Sequence, residues 1–248
     1  MVQVPKRPSL SGPALVRLLA RLTDTPAVGP RTPLSGCLSQ WLGWSDAITL
    51  STVLNNDPPA VPTGRAVPGD ALRRECDRLR SGLLASIDGD GKPSPGHEPD
   101  RRLRVQPALQ QVAVDYAEYR QRYVSLQQSM ESEIGHLRGR LRAMLAARSP
   151  EMTRLAMVDG LMERALAARE RNLLSLIPGM LEKHFERLRQ AGAPDQADGP
   201  AQEPNLRWLA AFRLDMRSVL RAELAVRMQS VEGLLAALLQ PRQEAERN

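Results

Sequence analysis

Apolar residues recur at steps of three and four along most of this chain, the spacing of helices that each bury one face. After Ser11-Gly12-Pro13, where Pro suits a first helical turn, Ala14, Leu15, Leu18, Leu19 and Leu22 share a face. A short helix near Ser35 gathers Leu38, Trp41 and Leu42. Gly43 ends it, and Ser45 with Asp46 starts another through Ile48, Leu50 and Leu54. Residues 55–69 hold four prolines and two glycines and read as a loop. From about Asp70, the positions Leu72, Cys76, Leu79, Leu83 and Ile87 predict a further helix, and 88–100 a second loop.

From Pro107 the pattern lengthens. Leu109, Val112, Tyr116, Tyr119, Tyr123, Leu126 and Met130 alternate steps of three and four, which is a heptad seam. The step from Met130 to Ile134 is a second four in succession, a stutter that locally relaxes the supercoil, before Leu137, Leu141 and Met144 resume the alternation. Ser149-Pro150-Glu151 combines an N-cap, a Pro at the first helical position and an acid in the first turn, so a second helix begins almost where the first stops. Its apolar stripe is Leu155, Val158, Met162, Leu166, Leu173, Ile177, Met180 and Leu188, with Phe185 beside it. Pro178-Gly179 predicts a kink or break at Ile177. Beyond a linker at 191–204, Leu209, Phe212, Met216, Leu220, Leu224, Val231, Leu235 and Leu238 mark a third long helix ended by Pro241.

The expected architecture is all-α. An N-terminal module of short helices with Pro/Gly-rich loops occupies 1–100, a long-helix antiparallel three-helix, coiled-coil-like bundle 101–240, and a frayed tail 241–248. Composition agrees, because aromatics make up only 3% and the apolar content falls on Leu, Ala, Val and Met.

The net charge is +6, and only Lys6, Lys92 and Lys183 among the basic residues are lysines. The charge is spread, +4 over residues 1–105, +3 over 106–190 and −1 over 191–248, without the concentrated footprint of a dedicated nucleic-acid binder. Cys37 and Cys76 form no disulfide framework, which suits a reducing, cytoplasmic setting. Arg17 and Arg21 interrupt the apolar character of the first segment, so it reads as a helix and not a targeting peptide. No run of apolar residues is long enough to predict a membrane span.

Local chemistry fails at each point where it is expected. His97, His136 and His184 are dispersed. Glu133 precedes His136 by three, but the matching carboxylates of a di-metal bundle are missing from the pattern. Asp88-Gly89-Asp90-Gly91-Lys92 has Lys92 and Pro93 where a calcium or phosphate loop needs other residues. Cys37 and Cys76 sit at apolar helix positions and read as packing residues. His136 and His184 read as solvated or seam-edge residues. No catalytic, metal or cofactor-binding residue is expected.

Three sets of residues remain as candidates for contact. Arg101, Arg102 and Arg104, with Arg138, Arg140 and Arg142, form a candidate basic patch, the second group suiting a helix C-terminus. Arg213, Arg217 and Arg221 flank the third seam at i, i+4, where Glu163, Glu170 and Glu182 would answer them. With Val231, Leu234, Leu235 and Leu238 they make a candidate partner surface.

The run WLAAFRLDMRSVLRAELAVRMQSVEGLLAAL at 208–238 resembles the proteobacterial domain of unknown function 3348 family. So do YVSLQQSMESEIGHLRGRLRAMLA at 123–146, RLAMVDGLMERALAARERNLLSLIPGMLEKHFERLR at 154–189 and GPALVRLLARLTD at 12–24. These are packing motifs without a catalytic signature. The resemblance implies an accessory role in an envelope-linked bacterial assembly. The residues themselves favour a non-enzymatic helical interaction or scaffold protein that engages a protein partner or itself. An Arg-rich nucleic-acid binder is the alternative, and an enzyme with a non-local site the second.

Overall fold

A computed structural model describes residues 13–24, 34–58, 68–89, 115–192 and 207–240. All regular structure among them is α-helical: α1 (Ala14–Leu22), α2 (Leu34–Trp41), α3 (Trp44–Asn55), α4 (Gly69–Asp88), α5 (Tyr116–Ala146), α6 (Pro150–Leu174), α7 (Ile177–Ala191) and α8 (Arg207–Leu239). The all-α class, with short helices ahead of long ones, is what the hydrophobic spacing predicts.

Local chemistry sets the boundaries. The carboxylate of Asp115 accepts from the Ala117 amide and starts α5. Ser149 accepts from the Met152 amide with Pro150 at the first helical position, so only three residues separate α5 from α6. Thr153 locks the reversal by donating its hydroxyl to the Ala146 and Ser149 carbonyls at 2.7 and 3.1 Å. The break expected at Ile177 falls at Ser175-Leu176, and Pro178 lies in the first turn of α7, where its missing N–H costs nothing. Leu109 and Val112, at the start of the predicted seam, lie outside the described residues.

The main core is continuous from α1 and α4 through α5, α7 and α8. α8 is its axis, packed against α5, α4, α7 and α1, whereas α6 pairs with α5 and α3. Along the middle of α8 the side chains of Val219, Leu220, Ala222, Glu223 and Leu224 are buried almost all the way round. The third long helix is thus more central than one rod among three. Leu15, Leu22, Leu72, Cys76, Leu83 and Ile87 join the same core as the long helices, so α1 and α4 are built into the bundle.

Aromatics are few and concentrated. Tyr116, Tyr119, Phe185, Trp208 and Phe212 gather where α5, α7 and α8 meet, with Phe185 in edge contact with Phe212 at 5.0 Å and Trp208 at 5.1 Å between centroids. Tyr116 donates its buried hydroxyl to the Pro178 carbonyl at 2.5 Å.

On α6 the observed buried face differs from the expected stripe. Thr153, Ala156, Gly160 and Leu161 face inward, while Leu155 and Leu173 are exposed. Small residues bring α6 close to α5: a Cβ on Gly160 would stand 3.3 Å from the Arg142 guanidinium. The expected stripe counted only large apolar side chains and so missed a face built from Ala, Gly and Thr.

Candidate interaction surface

The candidate basic patch is divided by the fold. Arg101, Arg102 and Arg104 lie outside the described residues. Arg138 grips Asp159 through Nε and Nη2 at 2.9 and 2.6 Å and reaches Glu163 at 3.3 Å. Arg142 pairs with Glu163 at 2.5 Å, and Arg140 with Glu75 of α4. All three guanidiniums are thereby spent on holding α5 to α6 and α4. Although burial opposes the charge, the Asp159 and Glu163 carboxylates raise the Arg138 pKa further. Arg148, in the turn after α5, donates to the Ala237, Leu238 and Gln240 carbonyls and so caps the C-terminus of α8.

The α8 residues proposed from sequence as a partner surface fare differently. Val231 and Leu234 are buried and Leu235 and Leu238 half-buried in the main core, because α4 and α5 cover that stretch of α8. They are packing residues, with only the edges of Leu235 and Leu238 reaching the surface. Arg213 donates to the Tyr119 hydroxyl at 3.1 Å, and Arg221 grips Asp88, the last residue of α4, at 2.7 and 3.1 Å. Arg217 is half-buried on the same flank. Glu163 and Glu170 answer Arg138, Arg142 and Arg227 instead of these three.

Inside the bundle lies a polar network that periodicity did not reveal. Glu223 is fully buried. Its carboxylate accepts from the Tyr123 hydroxyl at 2.7 Å, from Gln127 at 3.1 Å, and from Nε and Nη2 of Arg227 at 3.0 and 2.9 Å. Burial, then the neighbouring Glu223 charge, pushes the Tyr123 phenol far above its ordinary range. Only one axial register of α5 on α8 meets all these bonds. The i, i+4 pairs Glu223/Arg227 and Tyr123/Gln127 are the sequence signal, readable only once α5 and α8 are known to be adjacent.

His184, expected as a solvated or seam-edge residue, is buried. Its Nε2 stands 2.9 Å from Asp215 and its Nδ1 3.4 Å from Arg187. Arg187 can only donate, so Nδ1 accepts and Nε2 carries the proton given to Asp215. Arg187 also binds Asp24 and the Leu22 carbonyl, tying the end of α1 to α7. The imidazole packs on Phe212 with both nitrogens engaged, a positioning group between α7 and α8. His136 is exposed. Among the described residues, no group of three His, Cys, Asp or Glu side chains is arranged to hold a metal ion.

One surface does not follow this pattern of satisfied charges. Between Arg31 and Arg65 the sequence holds only Asp46 and Asp57 as charged residues, in a chain that is one quarter charged. Here α2 and α3 form a small helical arm. α3 runs antiparallel to α6: Arg154 reaches the Asn56 carbonyl at 3.3 Å, and at the other end Arg169 lies 4.8 Å over the Trp41 ring. Val53 and Leu161 are buried beneath it, outside the main core. On the opposite face of α3, Trp44 is 84% exposed and Ile48 52%, and Leu54 on the flank is 53% exposed. A cleft of 510 Å³ opens beside the arm, lined by Thr49, Val53, Met157, Leu161 and Arg164. A second cleft of 300 Å³ between α6 and α8 is floored by Met130 and Ile134 and edged by Arg171, Glu131, Glu170 and Arg227.

A family model described as "Protein of unknown function (DUF3348)" matches residues 1–240. The chain belongs to the DUF3348 family. That match spans the arm, the long helices and the segments between them, so both the buried network and the exposed arm of this DUF3348 protein lie within the family's extent. No curated protein and no solved structure matches the chain. Among the described residues, no helix is long and apolar enough to cross a membrane.

Proposed function

We propose that this DUF3348 protein is a non-enzymatic helical interaction or scaffold protein that engages protein partners through the outer face of α3. The carrying observation is the uncharged, outward-facing set Trp44, Ile48 and Leu54 on a two-helix arm set apart from the main core. Exposing a Trp to this degree forgoes burial of about 150–250 Å². A nearly charge-free helical face beside it is the composition of an interface centre. The bundle beneath, fixed in register by Glu223, Tyr123 and Arg227, supplies a rigid mount. Such a mount with one adhesive arm fits the accessory role in an envelope-linked assembly that the family resemblance implies.

The nucleic-acid reading draws less support, since Arg138, Arg140 and Arg142 each face a carboxylate. The test is affinity capture with the wild-type chain and with Trp44→Ser/Ile48→Ser. Specific retention by the wild type that the double variant loses is the expected result. Equal retention by both, or by neither, contradicts the proposal.

A further inference from the structure

We infer that the partner of the α3 face is a second copy of this chain, docked with its α3 antiparallel to the first across a two-fold axis near Ile48 to Ser51. This rests on the interaction reading above and names its occupant.

The distribution of charge along the face carries the inference. At the end of α3 near Trp41, α6 presents Arg169. Its guanidinium lies over the Trp41 ring at 4.8 Å and has no carboxylate partner among the described residues. At the other end, beyond Asn55, stands Asp57, fully exposed and held only loosely by Arg154 at 3.8 Å. Between the two ends the exposed positions Trp44, Ala47, Ile48, Ser51 and Asn55 carry no charge, and the single acid within α3, Asp46, is half-buried and accepts from the Gly43 amide at 3.2 Å. The surface therefore offers the Arg169 guanidinium at one end, is apolar in the middle and projects the Asp57 carboxylate, beyond a half-buried Arg154, at the other. A two-fold axis through the middle sets the positive end of each copy on the negative end of its mate, as an isologous contact requires. It also lays Trp44 of each α3 over the Ser51–Asn55 stretch of the other and brings the two Ile48 positions within one turn of each other across the axis.

An anionic bilayer or a nucleic acid fits less well, since the chain has no basic residue from 32 to 64 and the arm's own exposed charge is the acid Asp57. The face of one 12-residue helix, about 18 Å long, with a margin from α6, falls short of the roughly 800 Å² per partner of a standard interface. A dimer of modest affinity follows, with dissociation in the micromolar range.

Sedimentation velocity of the full chain from about 1 to 200 μM reads this directly. A concentration-dependent monomer–dimer equilibrium is expected. Trp44→Ser/Ile48→Ser should weaken it about a hundredfold, and Arg169→Asp or Asp57→Arg alone about tenfold each. Combining Arg169→Asp with Asp57→Arg should restore affinity to within about threefold of the wild type. Within one chain the two positions lie at opposite ends of α3, so only a contact between copies can rescue. All substituted side chains are on the surface, and unchanged helical circular dichroism and melting temperature confirm that the fold is kept. A strict monomer over the whole range, or a charge swap no better than the product of the single effects, overturns the second copy as occupant. Should capture from extract still depend on Trp44 and Ile48 in that case, the broader interaction reading survives and only the identity of the partner falls.

Discussion

The hydroxyl of Tyr123 on α5 donates to the fully buried carboxylate of Glu223 on α8 at 2.7 Å, one hundred residues away in sequence. With Arg227 bound to the same carboxylate, this is a buried ion pair with a phenol attached. Removing one member strands the others. Glu223→Ala leaves the Arg227 guanidinium without its main partner and should cost about 3–5 kcal/mol. Tyr123→Phe, which deletes one bond to a charged acceptor, should cost about 2 kcal/mol. Urea unfolding followed by circular dichroism measures both, and the double variant should show a coupling of about 1–2 kcal/mol.

Gly192, at the end of α7, lies where a Cβ would come within 2.7 Å of Cδ1 and 3.1 Å of Cβ of Trp208. Its backbone is ordinary for any residue, with φ −93°, so the requirement is one of space. Gly192→Ala should push Trp208 off the Phe185 ring and cost about 1–3 kcal/mol. A red shift of Trp208 fluorescence would accompany the loss of stability.

At the α5–α6 reversal, Ser149 accepts from the Met152 amide and Arg148 caps the carbonyls of α8. Ser149→Ala should lose about 1 kcal/mol. Arg148→Ala releases both the capping bonds and the apolar stem of the side chain, and should cost at least as much. Thermal melts of the two variants test the pair.

Alkaline pH should unfold the protein through its buried phenols. Burial, then the nearby Glu182 charge, pushes the Tyr116 pKa up to about 12, and Tyr123 shifts in the same direction for the reasons given above. In the unfolded chain both phenols ionise near their ordinary value of about 10. Below that pH both states are protonated and the stabilisation is fully present. As pH rises from about 10 towards 12 the unfolded state loses protons first, so stability falls by up to about 1.4 kcal/mol per pH unit for each buried phenol. Tyrosinate absorbance from these two rings should therefore rise together with the loss of helical signal, and Tyr123→Phe should flatten the pH dependence.

Much of the fold was legible because helices announce themselves in short-range spacing. The Ser149-Pro150 reversal, the break beside Pro178 and the seam through Tyr123, Met130, Ile134, Leu137 and Leu141 all rest on residues within a few positions of one another. What spacing could not reveal was which faces meet. The apolar C-terminal stretch of α8 with Val231 and Leu234 reads from spacing equally well as a partner surface or as core, and the helices packed on several sides of α8 make it core. The inward face of α6 is made of Thr153, Ala156 and Gly160, residues too small to register as an apolar stripe. The arm was visible as two short helices, but its exposed Trp44 and Ile48 became recognisable only when α3 was seen to spend its other face on α6.

The most direct test of the account is site-specific photo-crosslinking in cells that express the full chain. A photoreactive residue replaces Ile48 on the outer face of α3 or, as a control, Glu118 on the exposed side of α5. The account predicts a discrete protein adduct from position 48 and none from position 118, with the mass of the position-48 adduct corresponding to two copies of the chain. No adduct from position 48, or the same adducts from both positions, would contradict it.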